Sequence, residues 1–229
     1  GHLVGRRNAE VDYILVSLDI TMPVIQEAAE KGAQLIVSHH PLIWDTYKHV
    51  TDSVFQQDKV LTLAEHKIAA ICMHTNLDAA EGGVNDVLAE KLGLLDTQPL
   101  TEEKIGRVGT LKCELPLVDF TRFVVELLGC NGLRFTDCGK AVHRVAVGGG
   151  ACGDYIAQAI ALGCDTFVTS DLRYHDFLDT KELNLIDAGH FPTEQVIVPE
   201  LCRRLQAAFS AVSVSTSISH KSEVIQYCI

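Results

Sequence analysis

The sequence has few basic residues for its acidity: 19 Lys and Arg stand against 30 Asp and Glu, which gives a net charge of -11. A surface of that charge repels a phosphate backbone, so we do not expect nucleic-acid binding, whereas it would attract cations. The sequence also lacks an apolar run of the roughly 18 residues that a membrane span needs, and no signal peptide opens the chain. We therefore expect a cytoplasmic protein without a membrane partner.

The cysteines lack the spacing of a metal or redox motif, because no pair stands as C-x-x-C. Most lie in apolar segments such as Ile71-Cys72-Met73, which favours buried thiols in a reducing compartment over a disulfide framework. The eight are Cys72, Cys113, Cys130, Cys138, Cys152, Cys164, Cys202 and Cys228. Hydrophobic residues make up 47% of the chain, so the composition allows a substantial core and argues against disorder.

One α/β unit occurs twice in the sequence. Residues 11–20 predict a strand, Thr21 can cap the helix that follows, Gly32 can end it, and residues 34–38 predict a second strand. Residues 143–169 repeat this order of strand, helix and strand. A strand–helix–strand unit predicts parallel strands joined by a right-handed crossover.

The elements that come next also match between the two halves. Residues 68–72 and 183–187 predict strands, and each strand is followed by a His-x-x-x-acid segment and then by a helix. The two segments are His74-Thr-Asn-Leu-Asp78 and His190-Phe-Pro-Thr-Glu194. Two matches in the same order indicate that an α/β half has been duplicated.

We therefore predict an α/β fold of two linked lobes. The first repeat is assigned to residues 1–98 and the second to residues 99–229, and a less regular linker at 96–140 lies between the halves. The chain opens on GHLVGR, which reads as the middle of a motif, so we expect the first repeat to be N-terminally truncated.

Potential metal ligands follow four of the predicted strands. In a parallel sheet, functional groups gather beyond the carboxyl ends of the strands. A lone histidine there is more often structural, but a double histidine and two matched His-x-x-x-acid segments favour ligands. Imidazole and carboxylate ligands suit a dinuclear centre of zinc, iron(II) or manganese. We predict that two divalent ions are held between the halves by His39, His40, Asp78, His190 and Glu194.

Three further residues near these strand ends could transfer protons: His74, Asp171 and His175. His74 follows a predicted strand directly, and it could instead orient a metal ligand without touching the ion. His175 lies in an aspartate-rich segment that could border the pocket. We treat these three as candidate catalytic residues.

A glycine-rich segment, Gly148-Gly-Gly-Ala-Cys-Gly153, fits G-x-G-x-x-G after a strand and before a helix. It leaves three interpretations open: a nicotinamide dinucleotide site, a loop whose amides hold a phosphate or carboxylate, or a tight turn with close helix–sheet packing. Asp171 follows at roughly the fingerprint's spacing, but its counterpart in the first repeat is His40, which weakens the dinucleotide interpretation.

The motifs LIVSHHPLIW, HTNLDAAEGGVND and AGHFPTE, in that order, resemble the Nif-three-like family, often named GTP cyclohydrolase 1 type 2 homologue in bacteria. The segments GHLVGR, VSLDIT, GRVGTL and VAVGGGACGDYI resemble it too, so the likeness covers nearly the whole chain. It implies a pair of intertwined α/β repeats, two divalent metals at the five positions named above, and a ring-shaped homohexamer.

Two functions follow as expectations. The first is a metal-dependent hydrolase that acts on a small molecule, with a GTP cyclohydrolase-like activity on a nucleotide implied by the resemblance. The acidic charge does not favour a triphosphate site. The alternative is a non-enzymatic, metal-binding or regulatory oligomer that acts through protein partners.

Overall fold

The computed structural model describes residues 1–220 and 224–226, and within them strands and helices alternate along most of the chain. The strands are β1 (His2–Val4), β2 (Tyr13–Ser17), β3 (Leu35–Ser38), β4 (Ala69–Cys72), β5 (Leu95–Pro99), β6 (Arg107–Leu115), β7 (Arg134–Thr136), β8 (Val142–Val147), β9 (Thr166–Thr169), β10 (Asn184–Asp187) and β11 (Ser213–Thr216). The helices are α1 (Met22–Glu30), α2 (Phe55–Glu65), α3 (Thr75–Ala79), α4 (Val84–Lys91), α5 (Leu117–Leu128), α6 (Ile156–Ala161), α7 (Tyr174–Asp179), α8 (His190–Glu194) and α9 (Ile197–Ala208).

The first compact unit consists of Gly1–His74 and the described residues from Val198 to 220. Its sheet has the strand order β1-β4-β3-β2-β11. Strands β2, β3, β4 and β11 run parallel, and β1 pairs with β4 in the antiparallel sense. Leu15 and Ile36 are fully buried in this sheet and pack in one core with Val24 and Ala28 of α1.

The second compact unit consists of Thr75–Ile197, together with the described residues 224–226. Its sheet has the order β5-β6-β8-β9-β10-β7. Strands β8, β9 and β10 run parallel, while β6 and β7 pair antiparallel with β8 and β10, and β5 pairs antiparallel with β6. Phe167 and Leu185 are fully buried on one side of this sheet, and Val168 and Ile186 on the other.

The two sheets share one arrangement, which confirms the predicted α/β class and the repeated strand–helix–strand unit. Each has three consecutive parallel strands, β2-β3-β4 or β8-β9-β10, and each has a short antiparallel strand on the last of them, β1 or β7. Burial on both faces explains why these strands read as continuous apolar runs. The repeat boundary at residues 1–98 and 99–229 stays a prediction, because a compact unit is a part of the chain that packs together and need not coincide with a repeat.

The local signals around α1 are confirmed in detail. The Thr21 side chain accepts a hydrogen bond from the Val24 amide at 3.4 Å, and Pro23 lies in the first turn, where a missing N–H costs little. Gly32 follows the helix with a φ of +67°, a left-handed conformation that glycine adopts without steric cost. These residues fix both ends of the helix that joins β2 to β3.

Two predicted helices differ from the observed ones. The helix predicted within residues 143–169 begins as a 3₁₀ turn over Gly153–Tyr155 and continues as α6. The helix predicted after the second His-x-x-x-acid segment is α9, and the segment itself forms the short helix α8, with a two-residue turn at 195–196 between them.

The cysteines in the described residues are free thiols, and Cys228 lies outside those residues. Cys72, Cys152 and Cys164 are buried, as predicted, but Cys113 is exposed, so the expectation of burial is wrong for that residue. Among the described residues, no helix has the length and apolar character needed to cross a membrane.

Candidate metal centre

Three histidines come together at the carboxyl end of the first unit's sheet. His39 and His40 follow β3 directly, and His74 is the second residue after β4. Their ring centroids are 5.0 Å apart for His39 and His40, 5.2 Å for His39 and His74, and 5.8 Å for His40 and His74. Each offers a ring nitrogen within 4.8 Å of the others, so we call these residues the three-histidine cluster.

In two of these rings, those of His39 and His40, Nδ1 is hydrogen-bonded to a protein oxygen. His39 Nδ1 lies 2.9 Å from the Met73 carbonyl oxygen, and His40 Nδ1 lies 2.8 Å from Asp19 Oδ1. A carbonyl or a carboxylate can only accept, so Nδ1 carries the proton in both rings. In a neutral imidazole of this form Nε2 keeps its lone pair, and Nε2 is therefore the atom suited to bind a metal ion.

The Asp19 carboxylate makes a second contact, with His220 Nε2 at 2.8 Å from its Oδ2. Burial raises the pKa of Asp19, but the hydrogen bonds from His220 and His40 outweigh that effect and hold the pKa well below its usual range. Asp19 is the second residue after β2, so it occupies the same kind of strand-end position as the histidines.

Trp44 borders the three-histidine cluster with an exposed indole. Its ring contacts His74 edge-on, with centroids 5.2 Å apart and an interplanar angle of 87°. The side chain is 65% exposed, which is unusual for the single tryptophan of the chain. The cluster thus has an aromatic surface at its edge.

The second unit has its own group of candidate ligands. His190 and Glu194 face each other one turn apart on α8, with His190 Nε2 at 3.0 Å from Glu194 Oε2. Asp78, on α3, offers a carboxylate oxygen within 4.8 Å of one from Glu194. We call Asp78, His190 and Glu194 the acidic cluster. His190 Nδ1 is also held by a protein oxygen, Asp171 Oδ2, at 2.5 Å.

Negative charge dominates the electrostatics of the acidic cluster. Burial lowers the pKa of His190, but the contacts with Glu194 and Asp171 outweigh it and raise that pKa to about 9. Burial, followed by the charges of Asp78 and Glu194, raises the pKa of the Cys152 thiol to about 12. A cation among these carboxylates would be attracted strongly.

The glycine-rich segment makes room for the acidic cluster. A Cβ atom on Gly150, whose φ is +68°, would lie 2.2 Å from Glu194 Oε1 and 3.2 Å from His190 Nε2. A Cβ atom on Gly149 would lie 2.7 Å from Val84 Cγ1. Only glycine fits at both positions, so this loop is a close-packed turn that cradles the ends of His190 and Glu194.

The amides of this loop are used within the protein. Gly149 N donates to Asn85 Oδ1 at 2.9 Å, and Gly150 N donates to Thr193 Oγ1 at 3.1 Å. Asn85 Nδ2 in turn donates to the Asp78 carbonyl at 3.1 Å. A dinucleotide fingerprint or an anion loop would point such amides at its ligand, so the geometry favours the tight-turn interpretation.

The five predicted ligands fall into two groups: His39 and His40 lie beside His74 in the first unit, and Asp78, His190 and Glu194 belong to the second. The three candidate catalytic residues are placed differently. His74 belongs to the three-histidine cluster, and Asp171 contacts His190. His175 is exposed on α7, where its ring lies 5.4 Å from that of Tyr174.

Sequence reasoning missed several residues that hold these groups: Asp19, Asn85, Thr193 and the Met73 carbonyl. The strand-end rule could have found Asp19, because it follows β2 as His40 follows β3. Nothing local in the sequence marks Asn85 or Thr193.

The donors present fit a divalent transition metal. Imidazole nitrogens and carboxylate oxygens suit zinc, iron(II) or manganese, and the thiol of Cys152 is kept protonated by its surroundings. Because residue 150 is a glycine, no side chain at that position covers the Glu194 carboxylate. These histidine and carboxylate groups could therefore bind metal ions.

The sequence of this chain is similar to those of known proteins. The family model Duf34/NIF3 (NGG1p interacting factor 3) matches residues 1–223. A "GTP cyclohydrolase 1 type 2 homolog" of Clostridium perfringens is 34% identical over 215 residues, which are 90% of this chain and 82% of that protein.

Two solved structures share the fold. A Bacillus cereus protein related to NIF3 has a TM-score of 0.93 at 24% identity, with 99% of this chain and 92% of that chain covered. A hypothetical protein of Staphylococcus aureus has a TM-score of 0.91 at 29% identity, with 100% of this chain and 91% of that chain covered. The chain belongs to the Duf34/NIF3 family.

Proposed function

We propose that this chain binds two divalent metal ions and acts as a metal-dependent hydrolase on a small molecule. The proposed ligands are His39, His40, Asp78, His190 and Glu194. The observation that carries the proposal is that the three proposed histidine ligands, His39, His40 and His190, each have Nδ1 beside an oxygen acceptor of their own unit. In a neutral ring this arrangement leaves the lone pair of Nε2 for a metal, as carboxylate–histidine–metal groupings do in metalloproteins.

Bound divalent ions would supply a water of lowered pKa, close to 7, and would polarise a carbonyl or phosphoryl group. The residues of the chain supply the rest. His39 and His40 offer ring nitrogens, while Asp78 and Glu194 bring the negative charge that offsets the cations. The Gly150 turn excludes a side chain from the space beside Glu194.

We assign proton transfer to His74. Its ring lies 5.2 Å from that of His39, close enough to exchange a proton with a water or a substrate group held at the cluster. Asp171 contacts His190 Nδ1 and is better suited to orient that ring. A catalytic role for His175, which is exposed beside Tyr174, stays a prediction.

The first substrate class to test is a nucleotide. The curated relatives carry the name "GTP cyclohydrolase 1 type 2 homolog", and the exposed indole of Trp44 offers a face on which a planar base could stack. The net charge of -11 works against tight binding of a triphosphate, so we expect monophosphates and phosphodiesters to be bound at least as well.

The test uses protein stripped by a chelator and reloaded with zinc, manganese or iron(II), with metal content measured by elemental analysis. Turnover of GTP, other nucleotides and simple phosphodiesters is then compared among wild type, His40→Ala and Glu194→Ala. His66→Ala is the control, since His66 is exposed at the end of α2. We expect metal-dependent turnover that both cluster variants lose and the control keeps. Fully loaded wild type that hydrolyses none of these compounds would contradict the enzymatic proposal.

A second candidate is a metal-binding or regulatory oligomer without catalysis. The family description, NGG1p interacting factor 3, names an interaction with a protein rather than a reaction. Full metal occupancy without turnover would favour this candidate, whereas turnover that disappears in both His40→Ala and Glu194→Ala would exclude it. The predicted homohexamer is checked by sedimentation velocity of the same samples.

A further inference from the structure

Asp19 lies just beyond β2, in the bend that leads to α1, and faces the turn that carries the double histidine. The backbones of the two segments are joined, because the amides of His39 and His40 both donate to the Leu18 carbonyl, at 3.2 and 2.9 Å. The Ser17 hydroxyl donates to the Asp19 carbonyl at 2.7 Å and fixes the bend itself. These hydrogen bonds therefore fix the position of Asp19 relative to the turn that carries His40.

The side chains add a directed contact to this frame. Asp19 Oδ1 accepts from His40 Nδ1 at 2.8 Å, and Oδ2 accepts from His220 Nε2 at 2.8 Å. With one oxygen on each ring, the carboxylate cannot turn without losing one of the two hydrogen bonds. His220 thus braces Asp19 in the orientation that keeps the proton on His40 Nδ1.

We propose that Asp19, braced by His220, is a positioning residue that sets the tautomer and the ring orientation of His40 and thereby its affinity for a metal ion. The inference rests on the proposed role of His40 as a ligand. It also gives a function to the segment after β11, which brings His220 to the carboxyl end of the first unit's sheet.

A second carboxylate anchors the same segment without touching His40. Glu27 accepts hydrogen bonds from the Ser217 hydroxyl at 2.6 Å and from the amides of Ile218 and Ser219 at 3.0 Å. Glu27→Gln therefore weakens the attachment of this segment while leaving the Asp19–His40 contact in place. It is the matched control for a general loss of order near the chain end.

The test measures the tautomer of His40 by ¹⁵N–¹H correlation NMR in the metal-free protein, and the affinity for zinc by competition with a chelator. Wild type should show His40 protonated on Nδ1. Asp19→Ala should shift the ring toward protonation on Nε2 and weaken zinc binding by about 10- to 100-fold, the range that such outer partners carry. Asp19→Asn keeps an oxygen acceptor toward His40, so it should restore the Nδ1–H tautomer and most of the affinity.

His220→Ala should weaken zinc binding by a smaller factor, since it removes only the brace, and it serves if Asp19→Ala does not fold. Glu27→Gln should leave the tautomer unchanged. An Nδ1–H tautomer or wild-type affinity in Asp19→Ala would overturn the proposal, and so would a tautomer change in Glu27→Gln as large as in Asp19→Ala. Wild type that binds no zinc would contradict the proposed function instead, and the tautomer measurement would still decide the role of Asp19.

Discussion

The two units carry the same strand-end architecture but different chemistry. In the first unit the residue two positions past β3 is His40, and in the second the residue two positions past β9 is Asp171. Each belongs to a His–Asp pair made with the end of a neighbouring strand: His40 with Asp19 after β2, and Asp171 with His190 after β10. The acid and the imidazole have exchanged places between the repeats.

The two units therefore share the His–Asp pair, although they differ in which residue type stands at the equivalent strand end. Adjacent parallel strands end side by side, so either order of acid and histidine can form the contact. The consequence is a difference in ligand type: the three-histidine cluster offers only imidazole rings, and the acidic cluster brings two carboxylates. One unit offers nitrogen donors, and the other offers most of the neutralising charge.

The largest effect is expected from removing a proposed ligand of either cluster. His39→Ala and Glu194→Ala should each weaken zinc binding by more than about a hundredfold, beyond what outer partners contribute. His74→Ala should lose less than about tenfold, because His74 is assigned to proton transfer. Chelator competition on all three variants measures this. A loss in His74→Ala that equals the loss in His39→Ala would make His74 a third imidazole ligand.

The glycine cradle belongs to the second unit only, so Gly150→Ala tests it. The new Cβ would overlap Glu194 Oε1, and the φ of +68° is costly for alanine, so we expect a loss of about 3 kcal/mol in unfolding free energy and weaker metal binding. Gly163→Ala is the matched control, with a φ of +73° and nothing within 4 Å of its Cβ. It should lose only about 1 kcal/mol and keep its metal affinity. Equal losses in urea unfolding would show that the cradle has no role.

The first unit also contains a buried carboxylate, Glu27, whose contribution to stability can be measured as a function of pH. Burial raises the pKa of Glu27, but hydrogen bonds from Lys31, Ser217 and the following amides lower it from 4.5 to about 2. A lowered pKa in the folded state means that this stabilisation is complete above about pH 4.5 and is lost as the pH falls toward 2. We expect about 2 kcal/mol at neutral pH. Urea unfolding of Glu27→Gln should be less pH-dependent than wild type over that window, and parallel curves would refute the assignment.

The smallest effect concerns repulsion within the acidic cluster. Asp78 and Glu194 lie with carboxylate oxygens within 4.8 Å of each other, so the metal-free protein should be destabilised by their like charges. Asp78→Asn should raise the unfolding free energy of the chelated protein by about 1 kcal/mol while it weakens metal binding. In the first unit, His40→Asn should bring no such gain, because no like charges are relieved. A stability loss in Asp78→Asn would contradict this view of the cluster.

The sequence was informative wherever the signal is local. Thr21 and Gly32 mark the ends of α1, and the apolar runs of β2 and β9 are visible because parallel strands are buried on both faces. The candidate ligands could be identified because apolar runs mark the strands, and the ligands follow directly after the strand ends. The α/β class followed from the order of these elements.

Side-chain pairing across long stretches of chain could not be predicted in this way. Asp19 meets His40 and His220 because β2 lies between β3 and β11, a neighbourhood that depends on the sheet order. Asn85 is a helix residue with no local distinction until the Gly149 amide is placed against it. The antiparallel strands β1 and β7 are three residues long and too short for a periodic signal.

The most direct test of the central claim is a crystal structure of the zinc-loaded protein, with anomalous scattering recorded on both sides of the zinc absorption edge. We expect zinc peaks bound by Nε2 of His39, His40 and His190 and by carboxylate oxygens of Asp78 and Glu194. Their Nδ1 atoms should keep the contacts with Met73, Asp19 and Asp171. Absence of zinc at these residues, or coordination through Nδ1, would contradict it.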